Sequence, residues 1–242
     1  MIYLILPSFN EEKNLIKIFK KINGLRESKK FIVVIVDDCS SDKTKNLKNK
    51  SNKFKLIYKR HNVNKGLSHT LETGFNVVKK KLKRDDVVVT MDGDNTHPVK
   101  IIPKMINQMK RKKSDIVIAS RFTKLSKVNG LSASRKLLSI LAKCIFSYRF
   151  PYKNLKEYTC NFRIYRANLI GRLLVNKKFF KNEDFNIAVK ILLFMTHNCG
   201  NIKISEFPLV LNYHHKIGAS KMRIFRNILL TLRLIFFKRF NY

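Results

Sequence analysis

Through the first 120 residues, short apolar runs alternate with longer stretches whose apolar positions recur every three or four residues. The runs at 2–6, 31–36, 55–58, 86–91 and 115–119 have strand character, and the spacing at 11–22, 42–50, 65–82 and 99–112 is helical. Runs of Val and Ile without polar alternation read as strands buried on both faces. This rhythm predicts an α/β domain with a doubly wound, mostly parallel, Rossmann-like sheet. After Ser120 it breaks into a loop at 122–130, a basic amphipathic helix at 132–148, a strand at 163–165, a helix at 184–196 and one or two strands within 202–211. No internal repeat, linker or low-complexity tract interrupts it. The expectation is one domain, 1–215, followed by an amphipathic C-terminal helix within 216–242.

Charge changes the picture more than length does. The 242 residues are 45% hydrophobic, enough for a large core, but 51 Lys and Arg face only 16 Asp and Glu, a formal net charge of +35. Such a field attracts nucleic acid, anionic headgroups or nucleotide substrates. A lysine- and asparagine-rich chain also arises from codon composition, so the charge favours phosphate chemistry without selecting the partner. Cys39, Cys144, Cys160 and Cys199 lack paired metal-type spacing, which fits a reduced cytoplasmic protein. The chain opens directly on an apolar run without a signal-peptide pattern, and no segment approaches the ~20 apolar residues of a membrane-spanning helix.

Candidate chemistry gathers after the first strands. The run Val87-Val88-Val89-Thr90-Met91-Asp92-Gly93-Asp94-Asn95-Thr96-His97-Pro98 delivers two carboxylates to the C-terminal end of a buried strand, where open α/β sheets bind ligands. Neighbouring aspartates repel unless a cation lies between them, and a divalent metal carrying a diphosphate is the usual solution. An isolated Asp-x-Asp is equally a solvated turn. Three more loops have polar residues suited to the same ligand: Pro7-Ser8-Phe9-Asn10-Glu11-Glu12, Asp37-Asp38-Cys39-Ser40-Ser41-Asp42, and Arg60-His61-Asn62-Val63-Asn64-Lys65-Gly66. Asp37 and Asp38 either cap turns or accept hydrogen bonds from a base or ribose. Lys65 and Gly66 open a helix, where an anion is welcome.

These motifs, with Ala119-Ser120-Arg121-Phe122, Ser134-Arg135, Cys160-Asn161-Phe162-Arg163 and Gly218-Ala219-Ser220-Lys221, resemble glycosyltransferase family 2 in order and over nearly the whole chain. Within it they resemble the polyprenol-phosphate sugar transferases of the dolichol-phosphate mannose synthase type. The resemblance implies a GT-A fold, a GDP- or UDP-linked sugar donor, Mg²⁺ or Mn²⁺ as cofactor, and a polyprenyl phosphate acceptor at a membrane surface. It places Pro7, Phe9, Glu11 and Asp38 around the nucleoside; Asp37, Lys65 and Gly66 are further candidate contacts with the nucleotide sugar. Asp92 and Asp94 would hold the metal, and Arg121, Arg135 and Lys221 would neutralise phosphate oxygens of donor or acceptor. Two positions depart from that pattern. His215 stands where an arginine is usual, and Ala188 where the mannose synthases have a glutamate. Glu183 and Asp184, just upstream, resemble the acidic pair that supplies a base in other members; equally, they favour a helix N-terminus.

The pattern at 220–240 sets Phe225, Ile228, Leu229, Leu232, Ile235 and Phe236 against Arg223, Arg226 and Arg233, which share a narrow face at 100° per residue. It predicts an in-plane helix on the inner face of the cytoplasmic membrane. The 132–148 helix, with Arg135, Lys136 and Lys143 beside Leu137, Leu138, Leu141 and Ile145, is a second candidate contact. Packing against the domain or against a second copy would explain either helix as well. Two other functions remain in view. A transferase acting on a sugar hydroxyl of a surface glycan would use the same donor site. A nucleic-acid-binding module is disfavoured, because no such motif accompanies the charge and the lysines are dispersed.

Overall fold

The computed structural model describes residues 1–49, 52–175, 179–180 and 186–215. The first half builds β1 (Ile2–Ser8), α1 (Glu12–Asn23), β2 (Phe31–Asp37), β3 (Lys55–Arg60), α2 (Gly66–Lys79), β4 (Val87–Thr90), α3 (Ile102–Arg111) and β5 (Ile116–Ser120). The second half adds β6 (Lys127–Asn129), α4 (Ala133–Arg149), β7 (Arg163–Arg166), α5 (Ala167–Leu173), α6 (Ile187–Asn198), β8 (Ile204–Pro208) and β9 (Val210–Asn212). Seven strands form one sheet in the order β3-β2-β1-β4-β7-β5-β8, parallel except for β7, which runs antiparallel to both neighbours. The short strands β6 and β9 pair in parallel as a separate ribbon.

Side chains alternate across this sheet, so one strand feeds two cores. Phe31, Val33 and Ile35 of β2 pack with Leu15, Ile18 and Phe19 of α1 and with Met105 and Met109 of α3. Ile32, Val34 and Val36 face the other way, onto Leu71, Phe75 and Val78 of α2 and the buried side of α6. All seven residues of β2 are buried, which is why the strand reads as one unbroken apolar run. Gly74 lets α2 lie close to β1, since a Cβ there would sit 2.5 Å from Ile5 Cγ2.

The structure differs from expectation in three elements. The helix expected at 42–50 is a 3₁₀ turn over Lys43–Asn49, with Thr44 and Leu47 buried three residues apart, one turn of that tighter helix. The loop at 122–130 contains β6, whose partner β9 lies about 80 residues away and leaves no local trace. Helix α5 was not foreseen; it is a short segment that buries Leu169, Ile170 and Leu173 against the α2 side of the sheet. The expected C-terminal helix at 220–240 lies outside the described residues.

Candidate active site

Strand β1 lies between β2 and β4, so three consecutive carboxyl ends open on one edge: Ser8 opposite Asp37, and Ile5 opposite Thr90. The chain leaves β1 toward the β2 side and returns at β4, which makes this the crevice where α/β sheets receive ligands. Loops here are stitched to one another. Asn10 Oδ1 accepts the Ser41 N–H at 2.7 Å, and Ser40 Oγ accepts the Asn10 N–H at 2.9 Å. Glu11 is buried and accepts from Asn14 Nδ2 at 2.6 Å, while Pro7 and Phe9 are half-buried at the rim.

Asp92 and Asp94 remain open to this edge. The Asp92 side chain is 41% exposed. Its Oδ1 accepts from Asn161 Nδ2 at 3.1 Å, and its Oδ2 lies 4.0 Å from His97 Nδ1. Asp94 Oδ1 accepts from Thr96 N and Thr96 Oγ1 at 3.1 and 2.7 Å. Between the aspartates only glycine fits, because a Cβ on Gly93 would meet Pro7 O at 2.9 Å and Ser8 Oγ at 3.0 Å. That approach presses the acidic turn against the end of β1. Among the described residues no three His, Cys, Asp or Glu side chains converge as a self-sufficient metal cage. Two hard carboxylates at an open edge fit instead a Mg²⁺ or Mn²⁺ ion whose remaining ligands come from substrate phosphates and water.

Asp37 and Asp38 stand at the matching end of β2 but are buried. Asp37 accepts from Ser40 N at 2.9 Å, from Arg60 Nη1 at 2.9 Å and from the Tyr58 hydroxyl. Burial and the hydrogen bond to Asp37 push the Tyr58 phenol well above its ordinary pKa, so it stays a donor. Asp38 accepts Lys65 N and Gly66 N at 2.8 and 2.7 Å, and its Oδ1 lies 2.7 Å from His61 Nδ1. The anion at the start of α2 is therefore Asp38 itself. Lys65 and Gly66 turn their N–H groups onto this carboxylate, and only the exposed Lys65 side chain points outward.

Arg121 is held by a carboxylate. Its Nε and Nη2 donate to both oxygens of Glu157 at 2.8 Å, and Glu157 also accepts Thr159 N and Cys160 N at 3.0 Å. Burial alone would raise the Glu157 pKa, but Arg121 and these N–H groups outweigh it and hold the carboxyl below its usual range. Burial would lower Arg121, yet Glu157 raises it on balance. Nε and Nη2 of Arg121 are thus committed to Glu157, which fixes the guanidinium on its loop. Arg135 is half-buried on the first turn of α4. His215 ends the 3₁₀ turn after β9, while Glu183, Asp184 and Lys221 lie outside the described residues.

Four residues here were given no role by sequence reasoning. Asn161 and His97 flank Asp92, and Glu157 pairs with Arg121. Tyr213 feels Arg121, Asp94 and Asp92 together; burial is the largest cause of its raised phenol pKa, and the aspartates add to it. His97 and Asn161 stood inside the quoted motifs, so a signal existed. Nothing in sequence marked Tyr213, which reaches the site through β9. Burial also pushes the Cys160 thiol up to about 12, so it stays protonated.

A family model described as Glycosyl transferase family 2 matches residues 3–174. The chain belongs to glycosyl transferase family 2. The matched span includes all three strand ends, both acidic pairs and Asn161; Tyr213 lies beyond it. Among relatives, a dolichol-phosphate mannosyltransferase of Pyrococcus furiosus is 31% identical over 91% of this chain and 58% of its own length. This chain thus spans little more than half of that protein. An undecaprenyl-phosphate mannosyltransferase of Micrococcus luteus is 27% identical, covering 90% of this chain and 86% of that one. Glucosyl-3-phosphoglycerate synthase from Mycobacterium tuberculosis, solved with Mn²⁺, UDP-glucose and phosphoglyceric acid, superposes with a TM-score of 0.64 at 13% identity, over 97% of this chain and 79% of that chain. At that identity the likeness establishes the GT-A fold alone.

Proposed function

We propose that this family 2 member is an inverting, metal-dependent transferase that moves a hexose from a GDP- or UDP-linked sugar to a polyprenyl phosphate at a membrane surface. The observation that carries the reading is the contrast at the sheet edge, where Asp92 and Asp94 are partly exposed while Asp37 and Asp38 are buried. A divalent cation bound there would stabilise the charge that develops on the departing nucleoside diphosphate. Asp92 and Asp94 would hold that cation, with Gly93 between them pressed against the end of β1, and Pro7, Phe9 and Glu11 would form the rim around the nucleoside. An acceptor phosphate is already an anionic nucleophile near neutral pH, so no strong general base is required. Displacement in line would invert the anomeric carbon. The lipid-phosphate names of the Pyrococcus and Micrococcus relatives support this acceptor class.

Helix α4 supports the membrane part of the proposal. Leu137, Ile140, Leu141, Ile145 and Tyr148 are exposed, from 38% at Ile145 to 91% at Tyr148. At 100° per residue they fall within about 140° of one face. Phe146, the buried residue of this helix, lies opposite, and Lys136, Lys143 and Arg149 flank the apolar stripe. An apolar face with basic margins suits an anionic bilayer interface. Lys143 Nζ and Arg121 Cζ both lie over the Phe122 ring, at 5.4 and 5.5 Å, which ties α4 to the site. Among the described residues no helix is long and apolar enough to cross a membrane. We place the working protein on the cytoplasmic face.

The test combines a panel of labelled nucleotide sugars with undecaprenyl phosphate in anionic vesicles. The expected result is label in the organic phase only when divalent metal is present. The double variant L137E/L141E should lower vesicle binding about tenfold while sparing donor hydrolysis. Label transferred only to sugar hydroxyls would contradict the acceptor, and equal vesicle binding by the double variant would contradict the role of α4.

A further inference from the structure

Two buried polar atoms beside Asp92, His97 Nδ1 and Asn161 Oδ1, have no hydrogen-bond partner among the described residues. An unpaired buried polar atom forfeits the hydrogen bonds it had with water, so a pair of them flanking one half-open carboxylate calls for a reason. For Asn161 the reason is visible. Its amide turns Nδ2 to Asp92 Oδ1 at 3.1 Å and leaves its own oxygen without a donor; the opposite orientation would set oxygen against carboxylate. His97 is pinned below the other oxygen. Its ring packs on Phe162 with centroids 5.2 Å apart, Nε2 lies 4.0 Å from Cys160 Sγ, and Nδ1 stops 4.0 Å short of Asp92 Oδ2. The two ring nitrogens thus face the Cys160 thiol on one side and Asp92 on the other, and an N–H on Nδ1 would meet the carboxylate.

We propose that His97 and Asn161 are positioning residues that grip Asp92 from its buried side, and that the carboxylate closes onto His97 Nδ1 when a divalent cation and a nucleoside diphosphate bind. The proposal rests on the reading of Asp92 as a cation ligand. Neither residue touches substrate; both act through Asp92. Partners that orient a ligating carboxylate are commonly worth 10–100-fold in metal affinity.

Electron paramagnetic resonance of Mn²⁺, which separates free from bound ion without turnover, tests this on the full chain with UDP and, separately, with GDP. H97Q and N161A should weaken Mn²⁺ retention about tenfold. H97N, whose amide nitrogen reaches the place of Nδ1, should stay within about threefold of wild type, and nucleotide binding without metal should not change in any variant. A merely structural histidine would not separate Asn from Gln. Equal Mn²⁺ retention by wild type, H97Q and N161A overturns the grip on Asp92, as does equal loss in H97N and H97Q. If wild type retains Mn²⁺ with neither nucleotide, the cation reading itself fails, and that result is distinct from the first.

Discussion

Two acidic pairs end the strands on either side of β1, and they have opposite surroundings. Asp37 and Asp38 are buried and surrounded by donors: Ser40 N, Arg60, Tyr58, Lys65 N, Gly66 N and His61. Asp92 is 41% exposed and receives one amide hydrogen bond together with a histidine held just out of reach. Residue type is the same and both pairs stand at carboxyl ends beside β1, Asp37 as the last residue of β2 and Asp92 two residues beyond β4, so type alone does not decide the role. The supply of internal donors does. A carboxylate that the fold saturates is a clamp between loops, and one that the fold leaves partly unsatisfied is available to a cation.

Breaking the clamp should cost stability before anything else. D38A leaves three donors without their acceptor, and at on the order of 1 kcal/mol each the loss should be about 3 kcal/mol. Chemical denaturation at neutral pH measures it, and a loss below about 1 kcal/mol would mean that Asp38 is no clamp. A smaller effect extends the comparison to another saturated acid, Glu157 of the loop before β7. Because its folded pKa is depressed, its contribution is present above the unfolded value of about 4.5 and is lost as pH falls through the lower folded value. In E157Q the acid limb of stability against pH should therefore be shallower than in wild type, by at most about 1.4 kcal/mol per pH unit for one proton. Identical acid limbs in the two proteins would show that Glu157 titrates as it does in the unfolded chain.

The first half of the fold was legible because its signals are local. Apolar runs such as 31–36 and the helical spacing at 11–22 map onto β2 and α1 almost residue for residue. The second half depends on pairings that no window of sequence contains. Strand β7 inserts antiparallel between β4 and β5, and the buried Arg163 ties Tyr158 O, Cys160 O and Ala188 O together through its guanidinium. The site divides along the same line. Asp92 and Asp94 were visible from strand, glycine and spacing. The saturation of Asp38 was not, since its donors come from a loop 27 and 28 residues further on. The partner of Arg121 was hidden for the same reason, since Glu157 is 36 residues away.

The contrast between the two pairs is tested most directly by calorimetric titration of nucleoside diphosphate into D94N and wild type, with and without Mn²⁺. We expect wild type to bind UDP or GDP more tightly with the metal. D94N should lose most of that increment, while its denaturation midpoint stays where it was. A D94N protein that keeps the full metal-dependent gain would contradict the claim that the open pair holds a cation against the diphosphate.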